Sequence, residues 1–118
     1  MLAVARSKTD SPKVSIVTTT HNQEAYVRQA FDSFVAQQVD FPVEIIVADD
    51  ASTDSTPAII REYAERYPHL FRPIFRPENL GLNRNLVGAL AIARGEYIAL
   101  CEGDDYWVDP LKLNKQVA

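Results

Sequence analysis

Two hydrophobic periods alternate along this chain, and that alternation limits its fold more than any other feature. Lys13-Val-Ser-Ile-Val-Thr-Thr19 and Val43-Glu-Ile-Ile-Val-Ala48 are dense in β-branched residues, and Glu96-Tyr-Ile-Ala-Leu-Cys101 is a further apolar run of strand length. Such runs fit strands buried in a sheet. Between them the spacing changes. Tyr26, Val27, Ala30, Phe31, Phe34 and Val35 recur at helical intervals, which predicts a helix over residues 23–37. Thr56-Pro57 opens a second helix, with Thr56 as cap and Pro57 where no N–H is needed, and Ile59, Ile60, Tyr63 and Tyr67 form its inner face. Leu70 to Phe75 is a strand whose Pro73 confines it to a sheet edge. Residues 82–94 read as a third helix with Leu82, Leu86, Leu90 and Ala93 inward and Gly95 just past its end. Asp109-Pro110 repeats the cap-then-proline signal and opens a fourth.

The order is therefore β-α-β-α-β-α-β-α, which predicts an α/β fold with an open, mainly parallel, Rossmann-like sheet and flanking helices. The strand order that fits is 3-2-1-4, with the Pro73 strand outermost. In such sheets ligands bind beyond the carboxyl ends of the strands, where the order reverses. Residues 1–12 read as a flexible tail, and 13–118 as one folding unit.

Composition removes several function classes. A net charge of −4 argues against a nucleic-acid partner. The longest apolar stretch, Leu86 to Ala93, has eight residues, so nothing in this segment encodes a membrane span. The opening Met-Leu-Ala-Val-Ala-Arg does not read as a signal peptide. Cys101 is the single cysteine, which sets a reducing, cytoplasmic setting as the expectation.

The polar residues that follow strands one, two and four are Thr18-Thr-Thr-His-Asn22, Asp49-Asp50 and Glu102-Gly-Asp-Asp-Tyr-Trp107. Strand one is followed by no glycine-rich turn, which excludes a dinucleotide fingerprint and a P-loop. Glu102, Asp104 and Asp105 would repel one another and any phosphate unless a hard cation sat among them. Mg²⁺ or Mn²⁺ takes one or two carboxylates together with substrate phosphates. A solvated acidic loop is the simpler reading of such a cluster, but its place at the predicted switch point favours a cation. A receiver-type signalling domain would need acids directly after strand one, where Thr18-Thr-Thr20 stands instead.

These blocks, with Glu78-Asn-Leu-Gly81 and Arg84-Asn85 between them, occur in an order that resembles family 2 glycosyltransferases of the GT-A fold, over residues 13–113. The resemblance implies a nucleoside-diphosphate-sugar donor, with uridine diphosphate the expected carrier. It implies a glycan or lipid-linked glycan acceptor, polysaccharide biosynthesis, and inversion at the transferred carbon. Residue by residue it implies Thr19 and His21 beside the base, Asp49 bonded to the base or ribose, and Arg84 toward the diphosphate. Asp104 would ligate Mn²⁺ or Mg²⁺, Glu102 would support the ribose or the metal shell, and Asp105 would lie beside the donor sugar or the metal. His21 stands where the family usually has Tyr, and Glu102 where it has the first Asp of its DxD element. The same resemblance implies that the domain continues beyond residue 118 and that the catalytic base lies there. A catalytically silent nucleotide-binding module carries the same signature up to that point.

Overall fold

The computed structural model describes residues 11–117, so the expected tail lies outside the described residues except for its last two positions. Four parallel strands, β1 (Val14–Thr20), β2 (Val43–Asp49), β3 (Phe71–Phe75) and β4 (Tyr97–Leu100), form one sheet in the order β3-β2-β1-β4. The order expected from the sequence is the one observed. Every residue of β1 and β2 is buried, as inner strands covered on both faces require.

The helices are α1 (Val27–Val35), α2 (Thr56–Arg66), α3 (Leu82–Ile92) and α4 (Lys112–Val117). One face of the sheet meets α1 and α2 through Ile16, Phe31, Ile45, Ile60, Tyr63 and Phe71. Phe31 anchors this layer, edge-on to Tyr63 at 5.2 Å and to Phe71 at 5.6 Å. The other face packs a smaller cluster, Val17, Ile46 and Ala48, against Ala89 of α3.

Local expectations shift at five places. First, α1 starts at Val27 rather than 23, because the chain before it is turned toward α2, with Gln23 N–H on the Thr56 hydroxyl and Glu24 N–H on Asp54; Tyr26 is exposed. Second, Thr56 is the first residue of α2, and the carboxylate of Asp54 accepts its N–H. Third, the buried line of α3 is Asn85 and Ala89, while Leu82 and Leu90 are exposed. Asn85 holds the deeper position because its amide donates to the Ala48 carbonyl and its oxygen accepts from Arg76 Nε. Fourth, Gly95 is no left-handed cap: α3 ends in extended backbone at Ala93, and a side chain at 95 would come within 2.5 Å of Ser15 N. At the chain's end, Asp109 does cap, accepting Leu111 N–H, but Pro110 O is taken by Gln38 N–H and α4 begins only at Lys112.

The turn from α3 to β4 is pinned at the amino end of the sheet by Glu44. Its carboxylate is buried and accepts from the Ser15 hydroxyl, from Arg72 and from Arg94 N–H. Burial alone would raise this carboxyl, but the hydrogen bonds from Ser15, Arg94 and Arg72 outweigh it and hold it below the usual range. At the outer edge, β4 has a neighbour only on its β1 side among the described residues, and three of its four side chains, Tyr97, Ile98 and Leu100, are exposed, Leu100 to 57%.

Candidate functional site

Strands β1 and β2 end side by side, and the segments that leave them lock together. Asp50 N–H donates to Thr20 O, Asn22 N–H to the Ser52 hydroxyl, Thr53 N–H to the Asn22 side chain and Ser55 N–H to Glu24. Two non-glycine residues, Asn22 (φ 49) and Ala51 (φ 55), take the left-handed conformation within this latch. For alanine that conformation costs on the order of 1 kcal/mol, which the cross-loop bonds offset.

A cleft of about 290 Å³ opens above these ends, bordered by Thr19, His21, Asp50, Gly81, Asn85 and Glu102. A second, of about 500 Å³, adjoins it over the α3 side of the sheet, where Thr19 and Glu102 recur with Leu86, Leu100 and Asp105. Thr19, His21, Glu102 and Asp105, all singled out in the sequence, are thus brought to connected clefts. Asp49 is placed differently. It is buried, with one carboxylate oxygen accepting the Thr20 and Ser52 hydroxyls and the other accepting Ser52 N–H. The acid that borders the cleft is Asp50, whose carboxylate also accepts Leu80 and Gly81 N–H and so ties the approach of α3 to the sheet. The sequence reading gave the nucleoside contact to Asp49 and named Asp50 only as its neighbour. Arg84 is exposed on the first turn of α3 and borders neither cleft.

The loop after β4 is pressed onto the end of β1. Gly103 N–H donates to Thr19 O, and a side chain at 103 would meet Gln23 at 2.6 Å and Thr20 at 2.8 Å, so glycine serves here by close approach. Asp105 accepts the N–H of Tyr106. Glu102 and Asp104 are exposed, and among the described residues their carboxylates accept no hydrogen bond and form no ion pair. Under the loop, the Cys101 thiol is pushed up to about 11 by burial first and then by the charge of Asp105, so it is no nucleophile. Trp107 packs on Phe34 at 4.9 Å between ring centres and serves the core.

No three potential ligands are gathered into a metal cage among the described residues. The donor set still fits a hard divalent cation of the kind held by one or two carboxylates and completed by phosphate and water, because the Glu102 and Asp104 oxygens are uncommitted.

Comparison with known proteins decides the family. The model described as Glycosyl transferase family 2 matches residues 15–118. The chain belongs to glycosyltransferase family 2. It is 64% identical over 104 residues to the uncharacterized protein Rv1520 of Mycobacterium tuberculosis, covering 88% of this chain and 30% of that protein. It is 33% identical to the uncharacterized glycosyltransferase alr2836 of Nostoc sp., covering 89% and 32%. The chain therefore spans about a third of the length of these relatives. Among solved structures, the mannosyltransferase PcManGT from Pyrobaculum calidifontis, in complex with GDP-Man and Mn²⁺, superposes with a TM-score of 0.80 at 30% identity, covering 97% of this chain and 34% of that one. S. aureus TarS 1-349 in complex with UDP-GlcNAc gives 0.78 at 30%, covering 89% and 30%. The GT-A fold of this family 2 segment agrees with the resemblance read in its sequence.

Proposed function

We propose that this chain forms the donor-binding part of a glycosyltransferase that moves a sugar from a nucleoside diphosphate to an acceptor hydroxyl with inversion. The observation that carries the reading is the pair of joined clefts at the carboxyl ends of β1 and β2, closed on one side by an acidic loop with uncommitted carboxylates. Binding of UDP-GlcNAc by TarS and of GDP-Man and Mn²⁺ by PcManGT supports it.

In this reading Thr19, His21 and Asp50 border the nucleoside, and Asp49 acts one step back by fixing Thr20 and Ser52. Glu102 lies where the two clefts meet, suited to the ribose, and Asp105 in the larger one, suited to the donor sugar. Asp104 is the proposed ligand for Mn²⁺ or Mg²⁺, with Glu102 beside it. When bound, such a cation neutralises negative charge on the diphosphate leaving group. Arg84, exposed on the first turn of α3 and bordering neither cleft, would have to swing inward to meet the diphosphate. The acceptor, a glycan or lipid-linked glycan, and the carboxylate base that deprotonates it belong to the part of the relatives' length this chain does not span. A cytoplasmic setting accords with the lone buried thiol, and no helix among the described residues is long and apolar enough to cross a membrane.

The test is calorimetric titration of the chain with nucleoside diphosphates, in Mn²⁺ and in excess chelator. Saturable binding strengthened by Mn²⁺ is expected. No saturable binding of any nucleoside diphosphate would sink the reading, and equal affinity with and without the cation would remove the metal from it.

A further inference from the structure

His21 stands at the rim of the smaller cleft with one ring nitrogen already committed. Its Nδ1 lies 2.7 Å from the main-chain oxygen of Asp50. A carbonyl oxygen only accepts, so Nδ1 carries the proton of that bond. In the neutral ring Nε2 is then an acceptor, and among the described residues nothing bonds to it. Asp50 borders the same cleft. Each of its carboxylate oxygens takes one amide N–H, from Leu80 at 2.7 Å and Gly81 at 3.0 Å, which leaves accepting capacity on both. The ring's orientation is built in by the latch, because the carbonyl it bonds belongs to the peptide entering the left-handed Ala51.

We propose that His21 is a base-specificity residue whose Nε2, together with the Asp50 carboxylate, selects guanine. The proposal rests on the nucleotide-sugar reading of the cleft and departs from the uridine carrier expected from the sequence. Uracil has a single ring N–H flanked by two carbonyl oxygens, so a second acceptor beside the one that takes it meets like with like. Cytosine and adenine carry an amino group, but the ring nitrogen beside it is itself an acceptor and would face the carboxylate. Guanine places a ring N–H and an amino group on one edge. Among the four common bases it alone carries a ring N–H and an amino group on neighbouring atoms, one donor for each acceptor that lines the cleft.

Inosine diphosphate, which is GDP without the amino group, isolates the contact. Calorimetric titration of the chain in Mn²⁺ should show GDP binding more tightly than inosine diphosphate by roughly three- to tenfold, the worth of one net hydrogen bond. UDP should bind more weakly than GDP. His21→Phe keeps a flat ring but offers no acceptor, and should bring GDP and inosine diphosphate to equal affinity. Nitrogen-15 NMR of the neutral His21 ring should place the proton on Nδ1, a readout independent of any variant. Equal binding of GDP and inosine diphosphate, a preference surviving in His21→Phe, or a proton found on Nε2 would each overturn the assignment. If UDP binds while GDP shows no preference over inosine diphosphate, the donor-site reading stands and only the role of His21 falls. If none of the three binds saturably, both fall.

Discussion

Asp104 and Asp49 carry the same side chain in opposite settings, and their amide variants should fail in different ways. The Asp104 carboxylate is exposed and unbonded among the described residues, so Asp104→Asn should leave the unfolding midpoint unchanged. It should remove most of the gain in nucleotide affinity that Mn²⁺ gives, by roughly tenfold or more, since it deletes a hard anionic ligand while keeping shape. If titration shows the gain intact in Asp104→Asn and lost in Asp105→Asn, the ligand is the neighbouring residue. Asp49 is buried and accepts three hydrogen bonds. Asp49→Asn should therefore cost about 1–3 kcal/mol in a denaturant titration, because an amide can accept at only one of its two positions. A variant of undiminished stability with weakened uridine affinity would instead favour the direct nucleoside contact expected from the sequence. The two aspartates after β2 also show where reading from sequence stops at this scale. That polar residues at the ends of β1, β2 and β4 face a cleft follows from strand order. Which of two adjacent acids faces it depends on the phase in which the strand leaves the sheet, and neighbouring residues point to opposite sides.

At the scale of elements, α3 and the turn after it were the least legible. A leucine stripe predicts an apolar inner face, yet Asn85 holds the deeper position because two bonded partners, Ala48 and Arg76, satisfy its amide. Hydrophobic periodicity treats a polar residue as exposed and cannot register partners far away in sequence. Glu44 is hidden for the same reason: within its strand it looks like an outward residue, although Ser15, Arg72 and Arg94 converge on it. Glu44→Gln should destabilise the fold by roughly 1–3 kcal/mol at neutral pH, since the amide cannot accept all three donors. The sign with pH follows from the lowered carboxyl. Stability contributed by Glu44 is present above its unfolded pKa and is lost as pH falls through the lower folded one. Unfolding midpoints of wild type and variant should therefore converge toward acid. A gap that stays constant down to strongly acidic pH would mean that the ionised carboxylate is not what stabilises the turn.

For the molecule as a whole, the sheet order could be read in advance because alternating periods leave few topologies, whereas the bare flank of β4 and α3 could not. Tyr97, Ile98 and Leu100 of β4 are exposed, and so are Val87 and Leu90 on α3. An unpaired edge flanked by apolar side chains invites association, so sedimentation velocity of the isolated chain should show a weight-average mass that rises with concentration. A monomer at all concentrations would count against this. The same chain should bind donor nucleotide yet transfer no sugar, because acceptor positioning, worth roughly 7–11 kcal/mol of the barrier, needs a surface beyond the donor clefts. Radiolabelled transfer from a panel of nucleotide sugars, run beside a full-length relative, checks this, and turnover matching that relative would refute it. The latch between the segments after β1 and β2 bears on how such proteins can be recombined. Each segment's main chain is held by the other's side chains, through Asn22 with Thr53, Ser52 with Asn22, Glu24 with Ser55 and Asp54 with Glu24. A chimera that grafts one of these loops from a relative with a different donor inherits half a lock. Altering selectivity by transplantation therefore calls for moving residues 21–26 and 50–56 together, as a single cassette drawn from two distant stretches of the gene.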